Sequence, residues 1–145
     1  MKIGFASDHR GYKLKNELIN ILKEKYEITD YGTDSEESTD YPDYAFILGE
    51  NVVKHNVDFG VAICGSGIGI SIACNKVKGI RCAKVSSIDD VVATRIDNDA
   101  NIIAFGEKTS LEDAIKYVET FINTETSYEE KHVRRRNKIS KYEEK

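Results

Sequence analysis

The sequence predicts an α/β fold: a Rossmann-like, doubly wound, five-stranded parallel sheet in three αβα layers, with an extended C-terminal helix. Three observations carry this expectation. Short apolar runs alternate with stretches of helical periodicity along the chain. Short connections between them favour right-handed crossovers and parallel pairing. Two of the runs, "KIGFA" and "FGVAI", are almost continuously apolar, as strands covered on both faces are.

The strands are expected at 2–6 ("KIGFA"), 26–31 ("YEITDY"), 59–63 ("FGVAI"), 80–85 ("IRCAKV") and 101–105 ("NIIAF"). Leu14, Leu18 and Leu22 recur every fourth residue and mark a first amphipathic helix. A second is expected from Tyr44 to Asn56, entered through Pro42 and Asp43, because proline is tolerated where the first turn has no amide to satisfy. His55 falls near its end as a last-turn residue. Shorter helices follow at Ile68 to Lys76 and Ile88 to Asp97. Leu111, Ile115, Val118 and Ile122 make the last apolar stripe of the main body. Beyond Asn123 the segment "SYEEKHVRRRNKISKYEEK" is helical in pattern but carries few apolar side chains. It either packs on another surface, such as a second subunit, or stands as a solvated tail. The expected division is a domain over 1–123 and a basic helix over 124–145.

Composition bounds the function. A chain of 145 residues, 40% hydrophobic and 32% charged, suits one globular domain. No apolar run approaches the roughly 20 residues of a membrane span, so no membrane partner is expected. Cys64, Cys74 and Cys82 follow no metal spacing and read as reduced thiols of a cytoplasmic protein, with no metal or cofactor. The net charge is −4, and from Thr126 onward seven Lys or Arg oppose four Glu. An acidic body with a basic tail argues against nucleic acid and for a local anion site.

In an open parallel sheet, ligands bind at the carboxyl ends of the strands. Those ends carry Ser7-Asp8-His9, Tyr31-Gly32-Thr33, Cys64-Gly65-Ser66 and Val85-Ser86-Ser87. The most informative stretch is "CGSGIGI" (64–70), which spends three of the ten glycines in five residues. It is not a dinucleotide fingerprint, because Ile70 stands at the sixth position. No Lys-Ser/Thr closes it as in a P-loop, and no Arg follows as in a cysteine phosphatase. What remains is a row of backbone amides from Gly65 to Ile70, suited to an anion or oxyanion, or else a tight turn packed on a neighbour. Amide dipoles beside a thiol favour its ionised form, so Cys64 reads as a nucleophile or base. Cys74 and Cys82 read as small core residues. Asp8 and His9 stand at ligand height, against the plainer reading of a helix cap beside a solvated imidazole. Tyr41 is restricted to extended backbone by Pro42. Lys131 and Arg135, four apart on one helix face, could clamp a phosphate.

In order along the chain, "ASDHRG", "TDYPDYA", "CGSGIGISIACNKVKGIRCA", "NDANIIAFG" and "HVRRR" resemble the ribose-5-phosphate isomerase B / LacAB sugar-phosphate isomerase family. The resemblance runs from Lys2 to about Ser140. It implies a Rossmann-like homodimer, possibly a dimer of dimers, with active sites between subunits. It implies aldose–ketose isomerisation of a sugar phosphate without metal or cofactor. By resemblance Cys64 is the base that moves a proton between C2 and C1. The loop of Gly65, Ser66, Gly67, Ile68 and Gly69 is the corresponding site for the enediolate oxygen. Asp8, His9, Tyr41 and Asn98 match substrate contacts, and Lys108, Lys131 and Arg135 match phosphate contacts. One position departs: where the family usually has a histidine that opens the sugar ring, this chain has Asp97. The expected substrates are ribose 5-phosphate and ribulose 5-phosphate. The alternatives are a hexose 6-phosphate isomerase and a non-catalytic sugar-phosphate-binding protein.

Overall fold

The computed structural model describes all 145 residues. Five strands, β1 (Lys2–Ser7), β2 (Glu27–Asp30), β3 (Phe59–Cys64), β4 (Cys82–Lys84) and β5 (Ile102–Gly106), alternate with α1 (Tyr12–Leu22), α2 (Tyr41–Val53), α3 (Ile68–Cys74), α4 (Ile88–Asn98) and α5 (Leu111–Asn123). A last helix, α6, spans Glu130–Glu143. The sheet is wholly parallel in the order β2-β1-β3-β5-β4. The fold class is as the sequence predicts.

Alternation along the central strands decides which helix covers which face. Ile3, Phe5, Val61, Ile63, Ile103 and Phe105 form one core with α1, α4 and α5. The opposite face carries small residues, among them Ala6, Ala62 and Ala104, and packs against α2 and α3. Small residues are required there because Leu48 of α2 lies on the sheet. A Cβ at Gly4 would come within 2.8 Å of its Cδ1. Cys64 ends β3 on this small-residue face.

Several boundaries differ from expectation for identifiable reasons. The helix expected from Tyr44 starts at Tyr41, with Asp40 as its extended N-cap and Pro42 inside the first turn. It ends at Val53, so His55 is no last-turn residue and lies beyond the helix at φ 61°. The outer strands β2 and β4 are shorter than their apolar runs because each pairs on one side only. Ser87 and Ser110 cap α4 and α5, accepting from the amides of Asp90 and Asp113. The basic helix α6 is docked on its own chain. Arg136, buried within it, donates to Ser127 O at 2.9 Å and Thr126 Oγ1 at 3.3 Å.

Candidate active site

Sheet order reverses between β1 and β3, and a cavity of about 1500 Å³ opens over their carboxyl ends. That is where an open α/β sheet binds ligands. Cys64 lies on its floor, 4% exposed, with Sγ accepting a hydrogen bond from the Gly67 amide at 3.2 Å. Gly67 reaches this position at φ 82°, and a Cβ there would meet the Phe105 backbone at 2.7 Å. The expected row of free amides is therefore partly spent. Gly67 serves the thiol, and Ile68 N–H is taken by Ser66 Oγ at 3.1 Å. The amides of Gly65, Ser66, Gly69 and Ile70 make no hydrogen bond to protein.

Asp8 and His9 enter from the end of β1. Asp8 Oδ1 accepts from the amides of Arg10 and Gly11, at 3.0 and 3.1 Å, and so shapes the entry to α1. Its other oxygen stays unpaired on the cavity wall. His9 is fixed by Thr39: Nδ1 accepts from the Thr39 amide at 3.1 Å, and the His9 amide donates to Thr39 Oγ1 at 3.2 Å. An accepting Nδ1 puts the proton of the neutral ring on Nε2, as a donor for the cavity. Tyr41 reaches over Gly69, whose missing Cβ would lie 2.6 Å from Tyr41 Cζ. Lys108 follows β5 on the same wall.

The structure thus brings Asp8, His9, Tyr41, Cys64, Gly65, Ser66, Ile68, Gly69 and Lys108 together around one cavity, with Gly67 beneath it. Asp97, Asn98, Lys131 and Arg135 are not among them. Asp97 and Asn98 end α4 beside the start of β5, at the opposite edge of the sheet. Asp97 Oδ1 lies 3.5 Å from His132 Nε2 on α6, and His132 Nδ1 is buried without a partner. Asn98 Oδ1 accepts from Thr94 Oγ1. Lys131 and Arg135 are exposed on α6, and Arg135 has no ion-pair partner. Of the strand ends singled out in the sequence, Tyr31-Gly32-Thr33 does not reach the cavity. Lys15 Nζ binds both Asp30 oxygens at 2.7 Å and Thr33 O at 2.9 Å, tying that turn beneath the sheet edge, and the later residues Thr39 and Asp40 line the wall instead. Missed by sequence reasoning were Thr39, Arg10 and Glu107. Arg10 had a signal as the residue next to Asp8-His9 at a strand end, and Thr39 as the first residue of "TDYPDYA".

The thiols differ in setting. Hydrogen bonding with Cys74 and burial push the Cys82 thiol well above its ordinary value, which disfavours its thiolate. No cluster of three metal-ligating side chains is present, and no helix is long and apolar enough to cross a membrane.

A profile of the Ribose/Galactose Isomerase (LacAB/RpiB) family matches residues 3–139. The chain belongs to this family. Among LacAB/RpiB relatives, ribose-5-phosphate isomerase B of Escherichia coli is 45% identical over 74% of this chain and 72% of that protein. Ribose-5-phosphate isomerase B of Clostridium thermocellum is 44% identical, and its structure superposes with a TM-score of 0.95 over 99% of this chain and 98% of that one. The family member from Mycoplasma genitalium, solved with bound ribulose-5-phosphate, is 34% identical with a TM-score of 0.92, over 99% and 97% of the two chains.

Proposed function

We propose that this LacAB/RpiB protein is an aldose–ketose isomerase that interconverts ribose 5-phosphate and ribulose 5-phosphate. The carrying observation is Cys64: a buried thiol under a donated backbone N–H, facing a polar cavity at the switch point of the sheet. Cys64 Sγ takes the proton from C2 of the aldose and returns it to C1, with a hydroxyl proton shifting between the two oxygens. An N–H aimed at the sulfur supports the charge it carries as base. The unpaired amides of Gly65, Ser66, Gly69 and Ile70 suit the enediolate oxygen, because donors fixed in place beforehand need no reorganisation. Asp8 and the Nε2–H of His9 bind sugar oxygens, Tyr41 closes the wall, and Lys108 meets the phosphate. Every group used belongs to the chain, with no metal or cofactor in any step.

A homodimer completes the site. Asp97, Asn98, Lys131 and Arg135 lie together around α4 and α6 but away from their own Cys64, and a second copy would deliver them. Exposed Phe46, Ile47, Ile68 and Ile72 on adjacent α2 and α3 supply an apolar surface for that contact. Asp97 beside His132 gives ring opening a carboxylate–imidazole pair in place of a single histidine. Division of labour along the chain follows: 1–123 carries the thiol, and 124–145 carries phosphate-binding side chains to the partner.

The test is kcat/KM across pentose 5-phosphates and hexose 6-phosphates, with proton exchange at C2 followed in deuterated water. Highest kcat/KM for ribose 5-phosphate with C2 exchange is expected. Preference for a six-carbon substrate would assign the hexose reading, and binding without exchange would assign a non-catalytic one.

A further inference from the structure

At the rim of the cavity Arg10 Nε donates to Glu107 Oε2 at 2.8 Å, and Nη2 donates to Oε1 at 3.1 Å. This two-point grip fixes the plane of the guanidinium and leaves both N–H groups of Nη1 without a protein partner. The group packs on the bare backbone of Gly65, beside Cys64. A Cβ at Gly65 would come within 3.2 Å of Arg10 Cζ and Nη1, so the glycine is what lets the arginine stand there. Arg10 consequently faces the same cavity as His9 and Lys108.

The pair does little for the fold. Its side chains are 54% and 28% exposed, and ion pairs in such settings contribute almost nothing to stability. Nor does it cancel the local charge. Hydrogen bonding from Arg10, then the charges of Arg10 and Lys108, hold the Glu107 carboxyl below its usual range. Arg10 and Lys108 stand together on a wall that also carries Asp8, Asp40, Asp43 and Asp113, so the pull on an anion is local to these two cations. A fixed, half-used guanidinium with a lysine beside it matches a dianionic oxygen cluster, which takes planar N–H donors and point charges together.

The geometry points to Arg10 as an anion-binding residue of this site, with Nη1 donating to the phosphate group of the substrate beside Lys108 and His9. This rests on the reading that the substrate is a sugar phosphate. Glu107 is the positioning residue that aims the fork. The phosphate is favoured over the enediolate oxygen because Arg10 shares the cavity wall with the point charge of Lys108, while the donor to Cys64 Sγ comes from Gly67.

The test uses the full-length protein and inorganic phosphate as probe, by titration calorimetry on wild type, Arg10→Met and Arg10→Lys. Loss of a charge-assisted hydrogen bond predicts on the order of 10-fold weaker phosphate binding for Arg10→Met. Arg10→Lys should fall in between, since it keeps the charge and loses the fork. With sugar phosphate, Arg10→Met should raise KM by a similar factor and leave kcat within about 3-fold. Unchanged phosphate affinity in Arg10→Met overturns the assignment, as does a wild type that binds no phosphate. A fall in kcat with phosphate affinity intact would place Arg10 at the reacting carbons and also overturns it. If wild type binds phosphate through Arg10 yet isomerises no sugar, the proposed activity fails while this assignment stands. Because the pair is exposed, the unfolding midpoints of the variants should match wild type and exclude misfolding as the cause.

Discussion

Cys64 differs from the two other thiols in what touches its sulfur. Its Sγ receives the Gly67 amide and faces the cavity, whereas Cys74 is wholly enclosed and Cys82 is held protonated by Cys74 and burial. Iodoacetamide at neutral pH should therefore label Cys64 first and abolish turnover, and Cys64→Ser should lose most of that labelling. Peptide mapping that finds Cys82 modified first would contradict this order. On the proposal that Cys64 is the base, Cys64→Ala should lower kcat by about 10²–10⁴-fold, the factor typical of a placed proton acceptor. Full activity in that variant would remove the thiol from the mechanism. Asp97 makes a separate prediction. Its carboxylate meets His132, and on the proposal that this pair opens the sugar ring, Asp97→Asn should slow turnover of cyclic substrate far more than open-chain substrate. Equal slowing of both would end the ring-opening role.

The glycine loop between β3 and α3 and the turn after β2 fix the site at the scale of elements. Gly67 holds positive φ against the Phe105 backbone, so Gly67→Ala incurs strain of about 1–3 kcal/mol besides the clash. Urea unfolding should show that loss together with a fall in kcat, because the same amide serves Cys64. Lys15 anchors the turn that leads to Thr39. Lys15→Met strands the Thr33 carbonyl, which predicts a loss of about 1–3 kcal/mol in urea unfolding. An unchanged midpoint would show that the turn holds without it. These elements also mark what was legible in the sequence. Apolar runs and strand-end positions disclosed β1, β3 and β5 and the pocket residues Asp8, His9 and Cys64, because burial on both faces leaves a local signature, whereas Lys108 came from the family resemblance. The start of α2 was missed because Pro42 fits inside a first helical turn as readily as before one. Arg10 was missed because its role comes from Gly65 and Glu107, which only the parallel sheet brings to it. Thr39 was missed because it lies 30 residues from His9 in sequence, and only the fold brings the two into their paired backbone-to-side-chain hydrogen bonds.

At the scale of the whole molecule, the sequence pointed to two groups of site residues without showing how far apart one chain holds them. The Cys64 group stands at the carboxyl edge of the sheet, and the group of Asp97, Asn98, Lys131 and Arg135 stands around α4 and α6. Arg136 and the Asp97–His132 contact fasten α6 to its own chain, so that helix cannot swing across to its own cavity without losing them. On the proposed reading the site needs both groups, so a second copy would complete it, and an isologous dimer would build two such sites. Complementation separates this arrangement from a site within one chain. Cys64→Ala and Arg135→Ala homodimers each carry the same defect in both sites. After unfolding and refolding an equal mixture, half of the dimers are mixed, and each mixed dimer holds one site with both residues intact. Activity should recover to about a quarter of the wild-type value per site. Each variant refolded alone should stay at its own low level. A mixture no more active than the average of its parents would confine the site to a single chain, and Arg135 would then have no part in binding the phosphate.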